Sequence, residues 1–394
     1  MNPSASGWIK KHLPTFDREI KLQNYQEELF YNKLKATGFI YANSLSTITY
    51  PEGTTYKLTT SEISKINLFD SLGQAYFKLY PNAEHKDFIK KAIAFYDYLK
   101  KNSWFDFKIP FLHSSAETQL EKILENRIQT NQTIFQKSFS SLVANALLYL
   151  DVLIFEYFLK TKGNPLPYAK SLEALIANTI YLAIRQKTNK DDQDQLVLKM
   201  LDVSIRYNTT EDINFEYEEL NYKKHQLRIE CSYILDLACM TTYADSILED
   251  SEKEFINQLG RELGFNQDKI NRYITDAKSF IEDNVERIAF LDTSNPFKNL
   301  YDNTHETVKI LIVRNKKRLI QELRQSKELV VLLKKSQSES LNAEEKKKVK
   351  TQLLDICKVI PSLGIFILPG GSILLPILTK FIPDLLPSAF TDNK

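Results

Sequence analysis

A chain of 394 residues with 43% apolar content has room for two or three domains and a sizeable core. Lysine plus arginine (52) nearly balance aspartate plus glutamate (50), and the net charge of +2 excludes a global attraction to nucleic acid, so DNA is not an expected partner. Ten glycines and 13 prolines are few, the remainder suits helices, and three cysteines (Cys231, Cys239, Cys357) fit a reducing compartment.

The first residues, Met1-Asn-Pro-Ser-Ala-Ser-Gly-Trp8-Ile-Lys-Lys-His12, carry no apolar signal core and no cleavage site, which places the bulk of the chain in the cytoplasm. Thr15 is a candidate cap for a helix running to about Lys35. Thr47–Tyr50 and Thr54–Leu58 flank Pro51-Glu-Gly53 and read as a small β-hairpin. Thr60 or Ser61 caps a helix from about Glu62 to Tyr80, and another runs from about Ala83 to Lys101. Thr133–Lys162 contains a long apolar run, but Asp151 and Glu156 interrupt it at a cost that lipid would not tolerate. It is expected as the central helix of a soluble domain. Asn164-Pro-Leu-Pro167 breaks the chain, and helices follow at about 168–188, 191–206 and 214–249. Cys231 and Cys239 stand about two helical turns apart, too far for a disulfide, and read as small buried residues.

Lys309–Lys335 holds nine basic and two acidic residues, with an apolar stripe at Val313, Ile320, Leu323, Val330 and Leu333. Arg314, Lys316, Lys317, Arg318 and Arg324, joined by Lys346, Lys347 and Lys348 further on, are candidate contacts for anionic lipid or RNA phosphate. The alternative is an ordinary surface helix docked by its apolar face. Asn342 and Glu345 have the spacing of a capping box for the next helix.

From there the chain turns apolar. No charge falls between Lys358 and Lys380, a run of roughly 30 Å if helical, close to the thickness of a bilayer's hydrocarbon core. Pro361, Pro369, Pro376, Pro383 and Pro387 cut it, and Gly370-Gly371 marks a break between two arms. A single span and a hairpin dipping into the membrane fit equally. The basic cluster ahead of it keeps the preceding domain on the cytoplasmic side.

The proline spacing of this run, with Asp355 and Lys358 before it, Leu374-Leu375-Pro376, Lys380 and the closing Leu386-Pro387-Ser388, resembles the membrane segment of the leucine-zipper/EF-hand transmembrane (LETM-type) family. Among bacterial members, those described as LETM-related biofilm-associated proteins are the nearest in kind. The resemblance implies an inner-membrane location, a ribosome or lipid partner and, for longer members, cation/proton exchange. Longer members carry an acidic residue inside the apolar run, where this chain has Ser372, and continue into a ribosome-binding domain, which this chain is expected to stop short of. No sustained leucine zipper is present, and the acidic loop Asn189–Asp194 lacks the glycine and distal glutamate of an EF-hand.

A second, fainter resemblance lies at about 225–285. Asp245 and Glu252 match the Asp-to-Glu spacing of the tellurite-resistance TerB-like fold, and Phe255, Leu259, Leu263-Gly264-Phe265 and Ile270 match its second helix. The resemblance implies a divalent cation at Asp245 and Glu252. The alternative makes them a solvated loop carboxylate and a first-turn residue suited to the helix dipole. No other cofactor is implied.

The search for catalytic patterns finds no phosphate loop, dinucleotide fingerprint, nucleophile elbow or zincin motif. The five histidines (12, 85, 113, 225, 305) are scattered singly. The expected protein is therefore all-α, with one small β-hairpin near the N-terminus and a C-terminal apolar helical hairpin or transmembrane segment. Its expected parts are residues 1–60, a helical domain at 61–290, a basic linker at 291–340 and the membrane segment at 341–394. The leading function is a non-enzymatic binding module held at the inner membrane, with ribosome, lipid or a second copy as partner. Cation/proton exchange by an oligomer, and a soluble scaffold that buries its own C-terminal hairpin, are the alternatives.

Overall fold

The computed structural model describes residues 1–50, 57–101, 114–135, 141–161, 163–188, 227–243, 248–284 and 326–338, with single residues or short pieces at 190, 198, 287, 342, 344–345, 347–349 and 351–352. Every regular element among them is helical.

The chain enters α1 (Trp8–Phe16) directly after Gly7, which sits at φ 82, so Thr15 lies inside this helix rather than capping the next. The exposed amides at its start are met by a carboxylate from elsewhere: Gly7 N and Ile9 N donate to Glu121 at 2.8 and 2.9 Å. Pro14 sits inside α1, and the chain passes at once into a π-helical turn, Asp17–Lys21. Asn24 then takes φ 44 and Gln26 extends, which starts α2 (Glu27–Ala36) in a new direction. The single helix expected over 15–35 is thus two, because a left-handed residue between them turns the chain.

Gly38 follows α2 at φ 81, and a Cβ there would fall 2.0 Å from the carbonyl oxygen of Asn43. The loop closes on itself, with Asn43 N donating to Gly38 O, and sends Phe39, Ile40 and Tyr41 into the core. The expected β-hairpin is corrected here. Residues 47–50 form a turn in which the Thr47 hydroxyl donates to Tyr50 O and accepts from Tyr50 N. The Thr49 hydroxyl donates to buried Asp70. These threonines use their hydroxyls locally instead of lining a ladder. The turn of the proposed hairpin, residues 51–56, lies outside the described residues.

Helix α3 (Thr60–Leu79) runs through the middle. Thr59, one residue ahead of the expected cap, closes a capping box with Glu62. Nearly all of α3 is buried, its polar residues included. Around it stand α4 (His85–Lys101), α5 (Ala116–Phe135) and α6 (Ser141–Thr161). Helix α5 was not expected. In α6 the described part of the apolar run, Leu148 to Phe155, is buried in the core, and its interrupting carboxylates are paired: Asp151 with Arg127, and Glu156 with Lys78 and Lys160. No described helix is long and apolar enough to cross a membrane.

Helix α7 (Leu166–Gln186) starts within the expected break, its first amide held by the Asn164 side chain. It packs on α6 and on α8 (Arg228–Thr242), which also receives α2, α9 (Asp250–Glu262) and α10 (Gln267–Asn284). Cys231 and Cys239 are buried thiols on α8, as their spacing suggested. Phe255, Leu259, Leu263, Phe265 and Ile270 all enter the core, and Gly264 at φ 78 turns the chain between α9 and α10. One apolar core extends from Trp8 to Ile281, so residues 1–60 pack into the same body as the helices up to α10. Among the described residues, none of helix α11 (Lys327–Ser338) belongs to that core.

Candidate functional site

Helix α11 and the piece at 342–352 lie side by side where the basic stretch meets the apolar C-terminus. Asn342 opens the second segment as its spacing requires: its Oδ1 accepts from Glu345 N, and its own N donates to a Glu345 carboxylate oxygen, both at 2.9 Å. Across the pair, Lys335 meets Glu345 at 2.6 Å and Lys348 meets Glu328 at 2.9 Å. Gln352 donates to the second oxygen of Glu328 at 3.0 Å and accepts from the Ser326 hydroxyl. The hydrogen bond from Lys348 holds the Glu328 carboxyl below its ordinary range, and Lys335 does the same for Glu345.

Leu329, Leu332 and Val349 are buried, while Val331 is exposed. Of the expected apolar stripe, Val330 is half-buried, and the side chains of its other members lie outside the described residues. Lys347 and Lys348 are exposed. The surface thus offers cations in water, each ion pair on it solvent-accessible, and such pairs exchange partners at little cost.

Of the remaining candidate contacts, Arg314, Lys316, Lys317, Arg318, Arg324 and Lys346 lie outside the described residues. So do Asp355, Lys358, Pro361, Pro369, Gly370, Gly371, Pro376, Lys380, Pro383 and Pro387. Of the candidate cation ligands, Asp245 lies outside them too. Glu252 is fully buried as the third residue of α9 and closes a capping box with Glu249, a structural use of its carboxylate. Among the described residues no group of three or more metal-binding side chains occurs.

Three buried polar clusters escaped the sequence reading. Lys35 of α2 bridges Asp236 of α8 (3.2 Å) and Asp276 of α10 (2.7 Å), and Tyr31 OH donates to Asp236 at 2.7 Å. Burial raises the Asp236 carboxyl to about 6 against the pull of Lys35 and Tyr31. Arg127 holds Asp151 through two nitrogens at 2.7 and 3.0 Å, and Tyr96 OH also donates to Asp151. His12 is wholly buried, with Nε2 on Asp70 at 2.6 Å and Nδ1 on Tyr50 OH at 2.9 Å. A lone carboxylate inside an apolar helical run, as at Leu235-Asp236-Leu237, was the available signal. The partner's identity was not in it. Each charge here has a counter-charge or hydrogen bond inside the fold, which makes these clusters fastenings between helices.

Residues 341–394 match a protein-family model described as LETM1-like, RBD, the ribosome-binding domain of that type. Residues 188–361 match a second, described as type II intron maturase. No curated protein and no solved structure matches the chain. The C-terminal section is thus similar to LETM1-like proteins, over the residues that carry the proline pattern. The matched range begins at 341, with the segment that Asn342 caps, and coincides with the stretch expected as the membrane segment.

Proposed function

We propose that the chain is a non-enzymatic LETM-like protein whose C-terminal section contacts a ribosome, with the helical body of α1–α10 as a binding module beside it. The observation that carries this is the match of residues 341–394 to the LETM1-like ribosome-binding domain. The cation-rich stretch from Lys309 to Lys350 supports it, since lysine and arginine on an exposed surface supply the sequence-independent part of RNA affinity. The match to a type II intron maturase, which spans that same stretch, supports contact with RNA as its chemistry.

The apolar run at 359–379 supports a further element, attachment to the inner membrane with the body on the cytoplasmic side. Cation movement by an oligomer, a divalent cation near Asp245 and a role in biofilms are weaker extensions, carried by resemblance alone. Ribosome co-sedimentation at graded salt tests the core of the proposal. The intact chain should pellet with ribosomes at low salt, and alanine at Arg314, Lys316, Lys317 and Arg318 should release it at a lower salt concentration. A chain that stays in the supernatant at every salt concentration refutes it. Carbonate-resistant membrane pelleting that is lost on truncation after Val349 tests the attachment separately.

A further inference from the structure

The paired segments of α11 and 342–352 spend their carboxylates in a particular way. Seven lysines and four glutamates fall between 326 and 352. Two of those glutamates reach across to a lysine of the opposite segment: Glu328 to Lys348, and Glu345 to Lys335. Glu328 takes a second contact from Gln352, which Ser326 steadies in turn. These contacts are at the surface and screened by solvent, so they add little to stability. The apolar residues Leu329, Leu332 and Val349 are buried beside them. A solvent-screened pairing that adds little to stability, yet covers two of these cations, has the form of a mask.

We propose that Glu328 and Glu345 form a charge-masking clasp that lowers the affinity of this hairpin for RNA, and that RNA phosphates engage it by displacing the two carboxylates from Lys348 and Lys335. This rests on the RNA-contacting reading given above and adds its regulation. The clasp keeps the basic stretch from holding every polyanion it meets. Only an RNA that presents two phosphates at the spacing of these lysines gains both exchanges at once. Each exchange adds a cation–phosphate contact and releases a counterion, so it also adds salt dependence.

The test uses the full chain and a fluorescent single-stranded RNA. Glu328→Gln with Glu345→Gln should tighten binding about fivefold or more at low salt. The slope of log K against log salt should steepen by about 1.4, the value for two added phosphate contacts on a single strand. Glu254→Gln, an exposed glutamate on α9 away from the hairpin, should change neither quantity. Equal tightening in Glu254→Gln would reduce the effect to net charge and overturn the clasp. So would unchanged or weaker RNA binding in the double variant. Tightening on anionic phospholipid vesicles but not on RNA would overturn the choice of partner. If circular dichroism shows helix loss in the double variant, the swap Glu328→Lys with Lys348→Glu decides instead. It restores the pair in reverse and should bind RNA as the unaltered chain does, and tighter binding would refute the mask. Co-sedimentation of the unaltered chain with ribosomes stands apart: its failure removes the ribosome while RNA tightening in the double variant still supports the clasp.

Discussion

Replacing Lys35 with methionine tests how the helical body is fastened. The ammonium lies 3.2 Å from Asp236 and 2.7 Å from Asp276, with the Tyr273 ring beneath it at 4.5 Å. Asp236 is fully buried, and without Lys35 it keeps the hydrogen bond from the Tyr31 hydroxyl but no counter-charge at contact distance among the described residues. Methionine keeps the stem's packing and removes the charge, so the loss is that of an orphaned buried carboxylate, about 3–5 kcal/mol near neutral pH. The pH dependence gives the argument its sign. Burial raises Asp236 from 3.8 to about 6 in the folded state. A folded pKa above the unfolded one means that the native state binds the extra proton, so this group's contribution is fully present below about pH 4 and lost as pH rises through 6. The raised carboxyl therefore makes Asp236's contribution to the stability of the unaltered protein smaller at pH 7.5 than at pH 5. The facing groups are Tyr31, Tyr41, Cys239, Tyr273 and Asp276; burial raises all three tyrosines and the thiol, which therefore stay neutral between pH 5 and 7.5. In Lys35→Met the Asp236 carboxyl rises further, so the cost of the substitution should shrink on acidification. Urea unfolding followed by helix signal at pH 5 and pH 7.5 measures the difference, and contributions common to both proteins cancel. A cost that is the same at the two pH values, or below about 1 kcal/mol at pH 7.5, would refute the assignment of Lys35 as the counter-charge.

Arg127→Met should cost about 3–5 kcal/mol, because Asp151 is wholly buried, and adding Asp151→Leu should restore most of it; double-mutant unfolding curves that simply add would contradict the pairing. Gly38→Ala should destabilise by about 2 kcal/mol or more, from positive φ and from a Cβ 2.0 Å from Asn43 O, and a thermal midpoint unchanged within error would count against the loop as described. Thr59→Ala should remove about 1 kcal/mol with the capping box of α3, read as a shift in urea midpoint at constant m. Leu329→Ala should loosen the pairing of α11 with 342–352 while leaving the unfolding of the main body unchanged, since Leu329 lies outside the main core; amide exchange distinguishes the two.

What the sequence determined by itself is what a single turn of chain can encode. The Asn342–Glu345 box, the apolar positions Phe255, Leu259, Leu263, Phe265 and Ile270 and the reading of Asp151 as incompatible with lipid all follow from residues within a few positions of one another, whereas the break at Gly264 inside the helix expected there did not. The all-helical character follows from the same short-range spacing, and the LETM-type relation of the C-terminus follows from proline spacing. Tertiary structure alone decided the rest. It turned the expected 15–35 helix into two at Asn24, put the hydroxyls of Thr47 and Thr49 to use in a turn rather than a strand, and buried Leu329 and Leu332 on α11. It also chose the partners of the buried charges: Lys35 finds Asp236, His12 finds Asp70 and Arg127 finds Asp151. Periodicity reports which face of a helix is apolar, but a buried ion requires a counter-charge at contact distance. Residues about two hundred positions apart, such as Lys35 and Asp236, share that distance only after the helices between them have packed.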